Sequence, residues 1–199
     1  MKGPVRFLLL AILALVPTRV AKGQASVGGT LYAPGVRTEG AVVFLLPRDA
    51  TRFAEPRERQ VIDQVNLRFS PRVLPLRTGT TVEFRNSDPV LHNVFGPADP
   101  GPGFNLGTYP RGEQRPHTFA EPGVHVILCN VHPEMVAYVV AVPTTYHSVV
   151  DAAGEFYVEQ VPAGRYSVNV WHPQIAGFST LLTIGEGVSG IQLELEIPK

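Results

Sequence analysis

The sequence predicts an all-β protein of the sandwich or barrel kind, on three observations. Short runs alternate apolar and polar residues with the two-residue period of a half-buried strand. In "TVEF" Val82 and Phe84 face one way and Thr81 and Glu83 the other, and "GRYSVNVW" does the same through Tyr166, Val168 and Val170. Turn-forming strings such as "RTGT", "EPGV", "DAAGE" and "VPAG" separate the runs at short intervals. Almost no segment carries the period of an amphipathic helix, and 19 Gly and 19 Pro in 199 residues agree with many turns. Repeated short strands with frequent turns are the pattern of sandwiches and barrels.

Taken in order, residues 1–25 have the layout of a secretory signal. Lys2 and Arg6 form a basic start, Phe7 to Val16 an apolar run, and Gly23-Gln24-Ala25 a small-residue cleavage site, so the mature chain is expected to begin near Ser26. A membrane anchor is the competing reading. The apolar run is about half of the roughly 20 residues a spanning helix needs, and Pro17 ends it. The expectation is therefore a periplasmic or secreted protein with no integral membrane segment in the mature chain. No cysteine lies near the cleavage site to take a lipid.

The formal net charge is +0. The leader carries Lys2, Arg6, Arg19 and Lys22 and no acid, so its removal gives 0 − 4 = −4. That balance argues against a nucleic-acid partner.

After the leader, "ASVGGTLYAPGVRTEGAVVFLLP" reads as two strands joined by a turn, and "PRDATRFAEPRERQ" (47–60) as a polar linker or exposed loop. Strands around "TTVEFRN" and "VHVILC" follow, separated by "PADPGPGFNLGTYPRGEQRP" (97–116), which is rich enough in Pro and Gly to read as a long surface excursion. "VPTTY" after Val142 is a second join. The predicted organisation is a leader (1–25), a first flank (26–59), a central unit (60–143) and a second flank (144–199). "GEGVSG" (185–190) fits the dinucleotide fingerprint letter for letter. Yet only nine residues follow it and "IQLELEI" alternates like a strand, so it reads as a glycine turn.

The chemistry concentrates in "CNVHPEM". It holds the chain's one cysteine, Cys129, with His132 and Met135 at three-residue steps, and His92 in "DPVLHNVFG" lies 129 − 92 = 37 positions earlier. A lone cysteine forms no disulfide within its chain and is an oxidation risk in an oxidising compartment, unless it has a chemical task. Taken singly, each residue has a bland reading as a surface histidine, a core methionine or a buried thiol. Together, thiolate, two imidazoles and a thioether suit copper: two His and one Cys in a plane with a long axial Met is the blue-copper arrangement. Cys129 ends a strand while a short loop curls His132 and Met135 back, and His92 arrives from a neighbouring strand. Glu134 beside Met135 leaves open a carboxylate or mixed axial contact. His125 lies four strand residues from Cys129, roughly 13 Å at about 3.3 Å each, too far to join the same site. His117, His147 and His172 stand singly and read as exposed or hydrogen-bonded.

The stretch from about Val61 to Val142 resembles the cupredoxins. "FSPRVLPLRTGTTVEFRNSDPVLHNVFG" is similar to their early strands and first-histidine loop, and "TFAEPGVHVILCNVHPEM" to their ligand loop, with the short Cys-x-x-His-x-x-Met spacing of amicyanin. The resemblance implies a Greek-key β-sandwich holding one type 1 copper, with His92, Cys129 and His132 equatorial and Met135 axial. It implies that the Asn93 backbone N–H bonds the cysteine sulfur while its side chain ties the ligand loops together. The 97–116 excursion is longer than amicyanin needs. The flanks resemble the transthyretin-like or carboxypeptidase regulatory-like sandwich through D-x-x-G-x-F, P-x-G-x-Y and a closing V-x-V. A copper unit inserted in, or packed on, that second sandwich would explain both joins.

The function this implies is one-electron transfer between Cu(I) and Cu(II) with a redox partner such as a cytochrome or copper enzyme. The electron would leave through His132 near an apolar surface of Val131, Pro133 and Pro97. Copper storage or delivery is a second class, but 2 Met in all, one the initiator, is poor in soft exposed ligands. A structural or binding β-sandwich is a third class, which the flanks fit. Enzymatic copper chemistry would call for further histidine clusters such as His-x-His pairs, and none appears, so the protein is expected not to be an enzyme.

Overall fold

The computed structural model describes residues 24–49 and 51–198. Apart from Gln24 and Ala25, the predicted leader lies outside them. These residues form sixteen strands and no helix. The chain opens with β1 (Gln24–Tyr32) and β2 (Val42–Pro47). It continues through β3 (Gln60–Val65), β4 (Arg68–Ser70), β5 (Val73–Arg77), β6 (Thr81–Asn86), β7 (His92–Gly96), β8 (Phe104–Tyr109), β9 (Gln114–Thr118), β10 (Gly123–Leu128) and β11 (Val136–Val142). It ends with β12 (His147–Val149), β13 (Glu155–Pro162), β14 (Gly164–His172), β15 (Ile175–Ile184) and β16 (Gly190–Glu196).

The strands make four sheets, stacked as two β-sandwiches. In the central one, the sheet β4-β3-β6-β9 faces β5-β11-β10-β7-β8. Alternation decides which side chains go between them: Val82 and Phe84 of β6 are fully buried while Thr81 and Glu83 are not. They meet Ile62, Val94, Tyr109, Phe119, Ile127 and Val139 in one apolar core.

The flanks meet in space although the whole central unit separates them in sequence. β1 lies between β13 and β16, and β2 between β12 and β14, giving sheets β13-β1-β16 and β12-β2-β14-β15. Their facing sides enclose a second core with Val27, Val43, Leu45, Phe156, Tyr166, Val168 and Val170. β1 opens two residues before the predicted cleavage point, and Ala25 is already buried and paired with Val161. Two signature strings have local physical roles. In "DAAGEF" the Asp151 carboxylate accepts the N–H groups of Ala153 and Glu155, Gly154 takes φ +83°, and Phe156 enters the core. In "PAGRY" the Tyr166 hydroxyl donates back to the Pro162 carbonyl at 2.8 Å. Burial pushes that phenol up to about 12.

The sandwiches join through a third apolar cluster, where Val42, Phe44 and Trp171 meet Val73, Val124, Val140 and Val142. The Tyr138 and Trp171 rings lie 5.3 Å apart across this seam. The described residues of the polar stretch 48–59 carry no strand, though Phe53 packs edge-on against Tyr146. "GEGVSG" is the turn from β15 into β16.

One expectation needs correction. The 97–116 segment is not only a surface excursion, because it supplies β8, paired with β7, and most of β9, paired with β6. Both are edge strands, where a missing N–H or a left-handed glycine is tolerated, which accommodates Pro116 and Gly107 at φ +73°. The segment also delivers the fully buried Tyr109 to the core. Its hydroxyl donates to the Phe84 carbonyl and accepts from Gln64, and burial holds its pKa above the ordinary phenol value.

Candidate metal centre

At one end of the central sandwich the apolar core gives way to buried polar groups. β7 starts with His92, and its neighbour β10 ends one residue before Cys129, with Leu128 opposite Phe95. Cys129 therefore stands beside the first residues of β7. The loop from Cys129 to Met135 returns the chain into β11 and is closed by the Met135 N–H donating to the His132 carbonyl at 3.0 Å.

Three of the four donors predicted from the sequence converge here. His92 Nδ1, Cys129 Sγ and His132 Nδ1 all lie within 4.8 Å of one another. Nδ1 to Nδ1 is 3.0 Å and Sγ to His92 Nδ1 is 4.0 Å. His92 is fully buried, Cys129 is 3% exposed, and His132 is half-buried. Met135, 1% exposed, packs in the same apolar cluster as Cys129. Glu134 is exposed and lines a cavity of about 510 Å³ with Arg68, Phe69, Arg72, Met135 and Val136.

Two sets of hydrogen bonds hold the cluster. The Asn93 N–H points at Cys129 Sγ at 3.5 Å, and its side-chain oxygen accepts the Asn130 N–H at 3.4 Å. Its amide donates to Asn105 on β8 at 2.8 Å, so the 97–116 segment contributes to the site. The second set centres on Asp88, which sequence reasoning missed. Its carboxylate receives His92 Nε2 at 2.8 Å and the N–H groups of Asn66 and Leu67 at 2.6 and 2.9 Å. With Nε2–H spent on a carboxylate, His92 presents the lone pair of Nδ1 to Cys129 and His132. Burial alone would raise the Asp88 carboxyl, but the Leu67 N–H, the His92 ring and the Asn66 N–H outweigh it and hold it below the ordinary value. The signal that would have found Asp88 is its place four residues before His92, across the Asp-Pro turn.

The donors fit a metal. At bond lengths near those of zinc, about 2.0–2.1 Å to nitrogen and 2.3 Å to sulfur, neighbouring donors stand roughly 3.3–3.9 Å apart, which matches this spacing after small adjustments. One thiolate and two imidazoles suit copper, and the buried Met135 thioether belongs to the same apolar cluster as the thiol.

The remaining histidines stay apart from this cluster. His125 bonds the Glu121 carbonyl and packs on Phe119, and His117 stacks on Phe104 at 3.8 Å. His172 accepts the Gln174 N–H, and His147 sits in β12 opposite Phe44.

No protein-family model matches the chain, and no curated protein matches it. Solved structures do. The Cu-containing nitrite reductase from Thermus scotoductus SA-01 is 28% identical with a TM-score of 0.41, covering 49% of this chain but 25% of its own. The purple cupredoxin from Nitrosopumilus maritimus is 29% identical with a TM-score of 0.38, covering 42% of this chain and 99% of its own. The Cu(I) form of a mutant of amicyanin is 23% identical with a TM-score of 0.41, covering 50% and 99%. The chain thus spans a quarter of the nitrite reductase's length, and these neighbours match about half of this chain.

Proposed function

We propose that the protein is an exported type 1 copper protein that passes single electrons between a donor and an acceptor protein. The observation that carries this reading is the convergence of His92 Nδ1, Cys129 Sγ and His132 Nδ1 within 4.8 Å at the end of an apolar core. His92, Cys129 and His132 would hold the metal together with Met135, and a copper held there would supply a reversible Cu(I)/Cu(II) couple.

The chain's own residues supply the rest. Asn93 and Asp88 fix the thiolate and the first imidazole from outside, which limits rearrangement when the charge changes. Buried Met135 would join these donors in preference to exposed Glu134. Four protein donors would leave no position for a substrate, which favours the role of a carrier. The half-buried His132 is the exit, with exposed Val131, Leu91, Val90 and Leu67 as the apolar rim on which a redox partner docks. In this reading the outer sandwich is of the transthyretin-like or regulatory-like kind, with the copper unit inserted between its second and third strands.

Titration with Cu(II), followed by visible absorption and EPR, tests the reading. The expected result is one copper per chain, an intense thiolate-to-copper band with narrow hyperfine splitting, and loss of both in Cys129→Ser. A colourless site, or one the substitution leaves intact, would sink it.

A further inference from the structure

A sheet edge offers unpaired N–H and C=O groups to any strand that approaches, so folded proteins blunt their edges. Among the described residues seven of the eight sheet edges are blunted. β4 and β12 are three residues long. β5 carries Pro75 and Arg77, and β9 carries Arg115 and Pro116. β8 is irregular, with a register shift and the left-handed Gly107. β13 displays Glu155 and Glu159, and β16 displays Glu194 and Glu196.

The eighth edge, β15, has none of these devices along most of its length. It is ten residues long, "IAGFSTLLTI", with neither a charge nor a proline. A shift in its pairing with β14 places one irregularity near its start. From Phe178 to Ile184 it then pairs one-to-one with β14, straight and open on its other side. Leu181 points away from the core at 69% exposure, the highest among the exposed large apolar side chains of the described residues.

We propose that this edge is the interface of a homodimer, in which β15 pairs antiparallel with β15 of a second copy about a two-fold axis at Leu181. The strand's chemistry selects a second copy as the occupant. An isologous contact sets each strand against itself, so an edge with charges would bring like charges together, as β13 or β16 would, whereas this one brings none. Centring on Leu181 uses the whole straight run. Phe178 then opposes Ile184, Ser179 opposes Thr183, Thr180 opposes Leu182, and the two Leu181 side chains meet on the axis. Phe178 and Ile184 make an apolar pair, Ser179 and Thr183 a hydroxyl pair, Thr180 sets its methyl against Leu182, and the most exposed leucine is covered. The two four-stranded sheets become one of eight.

The test is the sedimentation-equilibrium mass of the purified protein at micromolar concentrations, with two kinds of variant. The expected mass is twice that of the chain. Leu181→Lys should raise the dissociation constant at least 100-fold with unchanged circular dichroism, and Ser179→Glu, also exposed, provides a second charged edge. Leu181→Cys should oxidise to a covalent dimer, because directly opposed residues have Cα atoms about 4.5–5.5 Å apart, within disulfide reach. Tyr157→Cys, exposed on the other sheet, should not. A monomer at all concentrations overturns the proposal, as does a dimer that both charged variants leave intact. Cross-linking through Ser179→Cys but not Leu181→Cys overturns the stated axis, and capture of another protein's strand by a chain that stays monomeric overturns the choice of occupant.

Discussion

The two sandwiches share an architecture and differ in what they bury. The outer core is apolar from Ala25 to Ile197, with Thr144 and His172 the buried polar residues of its flanks, and its one buried phenol returns to the backbone four residues upstream. The central core takes in Gln64, Thr80, Asn86, Asp88, His92 and Asn93, all at most 5% exposed. Burying such groups costs free energy unless each finds a partner, and most of these are engaged at the end that holds His92 and Cys129. Asn86 shows the degree of engagement. Its amide donates to the Val90 and Tyr109 carbonyls and its oxygen accepts the Asp88 N–H. What the difference teaches is that one sandwich fills its core almost wholly with apolar side chains, while the other gives up apolar core at one end to hold a thiol and two imidazoles in a fixed relation.

If that division holds, the largest loss of stability should come without loss of the site. Phe156→Ala empties an aromatic position in the outer core and should cost about 3–5 kcal/mol in denaturant unfolding. Below its unfolding midpoint the variant should still take up one copper with an unaltered spectrum. Loss of the spectrum in still-folded protein would show that the outer sandwich shapes the site through the Trp171 seam.

The converse substitution is Asp88→Asn. It is nearly isosteric, yet it sets an amide against His92 Nε2–H and weakens the acceptor for the Asn66 and Leu67 N–H groups. The expected cost is about 1–3 kcal/mol in the metal-free protein, and metal affinity should drop roughly 10–100-fold, as for other outer partners of ligating histidines. Equal affinity in the two proteins would reduce Asp88 to a clamp for the β3–β4 turn. Phe156→Ala and Asp88→Asn should thus separate: one mainly unfolds, the other mainly unbinds.

What could be read from the sequence follows the range of the interactions. Val82 and Phe84, or Tyr166, Val168 and Val170, declare their faces because the strand period is two and one face is wet. Cys129, His132 and Met135 are legible because the loop that gathers them is seven residues long. Asp88 was legible only in part: its place four residues before His92 is a local signal, but its partners Asn66 and Leu67 lie more than twenty positions away, and only the folded turn shows that their N–H groups point at it. β8 and β9 were hidden for a different reason. Gly and Pro argue against strands in general, but an edge strand needs only one bonded side, and topology alone reveals which strands are edges. The same fact obscures β15, whose apolar run reads like any core strand until its outer side is seen to be open.

The smallest effect is a pH dependence that both sandwiches share. Burial pushes the ordinary value of 6.5 down for His117, His147 and His172, helped by the nearby His125 for His117 and by Arg72 for His172. A ring with a lowered folded-state pKa stays neutral in the fold and takes up its proton more readily in the unfolded chain. Its contribution is therefore complete above 6.5 and is lost as pH falls below that value, until the folded ring also protonates. Asp88, lowered from 3.8, acts in a separate window: its contribution is present above 3.8 and disappears only as pH falls through its folded value. Between about pH 7.5 and pH 5.5 Asp88, lowered from 3.8, adds nothing to the change, and these three histidines set its sign. The metal-free protein should lose stability over that interval, and His117→Phe, which keeps the stack on Phe104 and removes the titration, should lose less. Stability that rises on acidification would reverse the sign, and with it the claim that these rings are held neutral by packing.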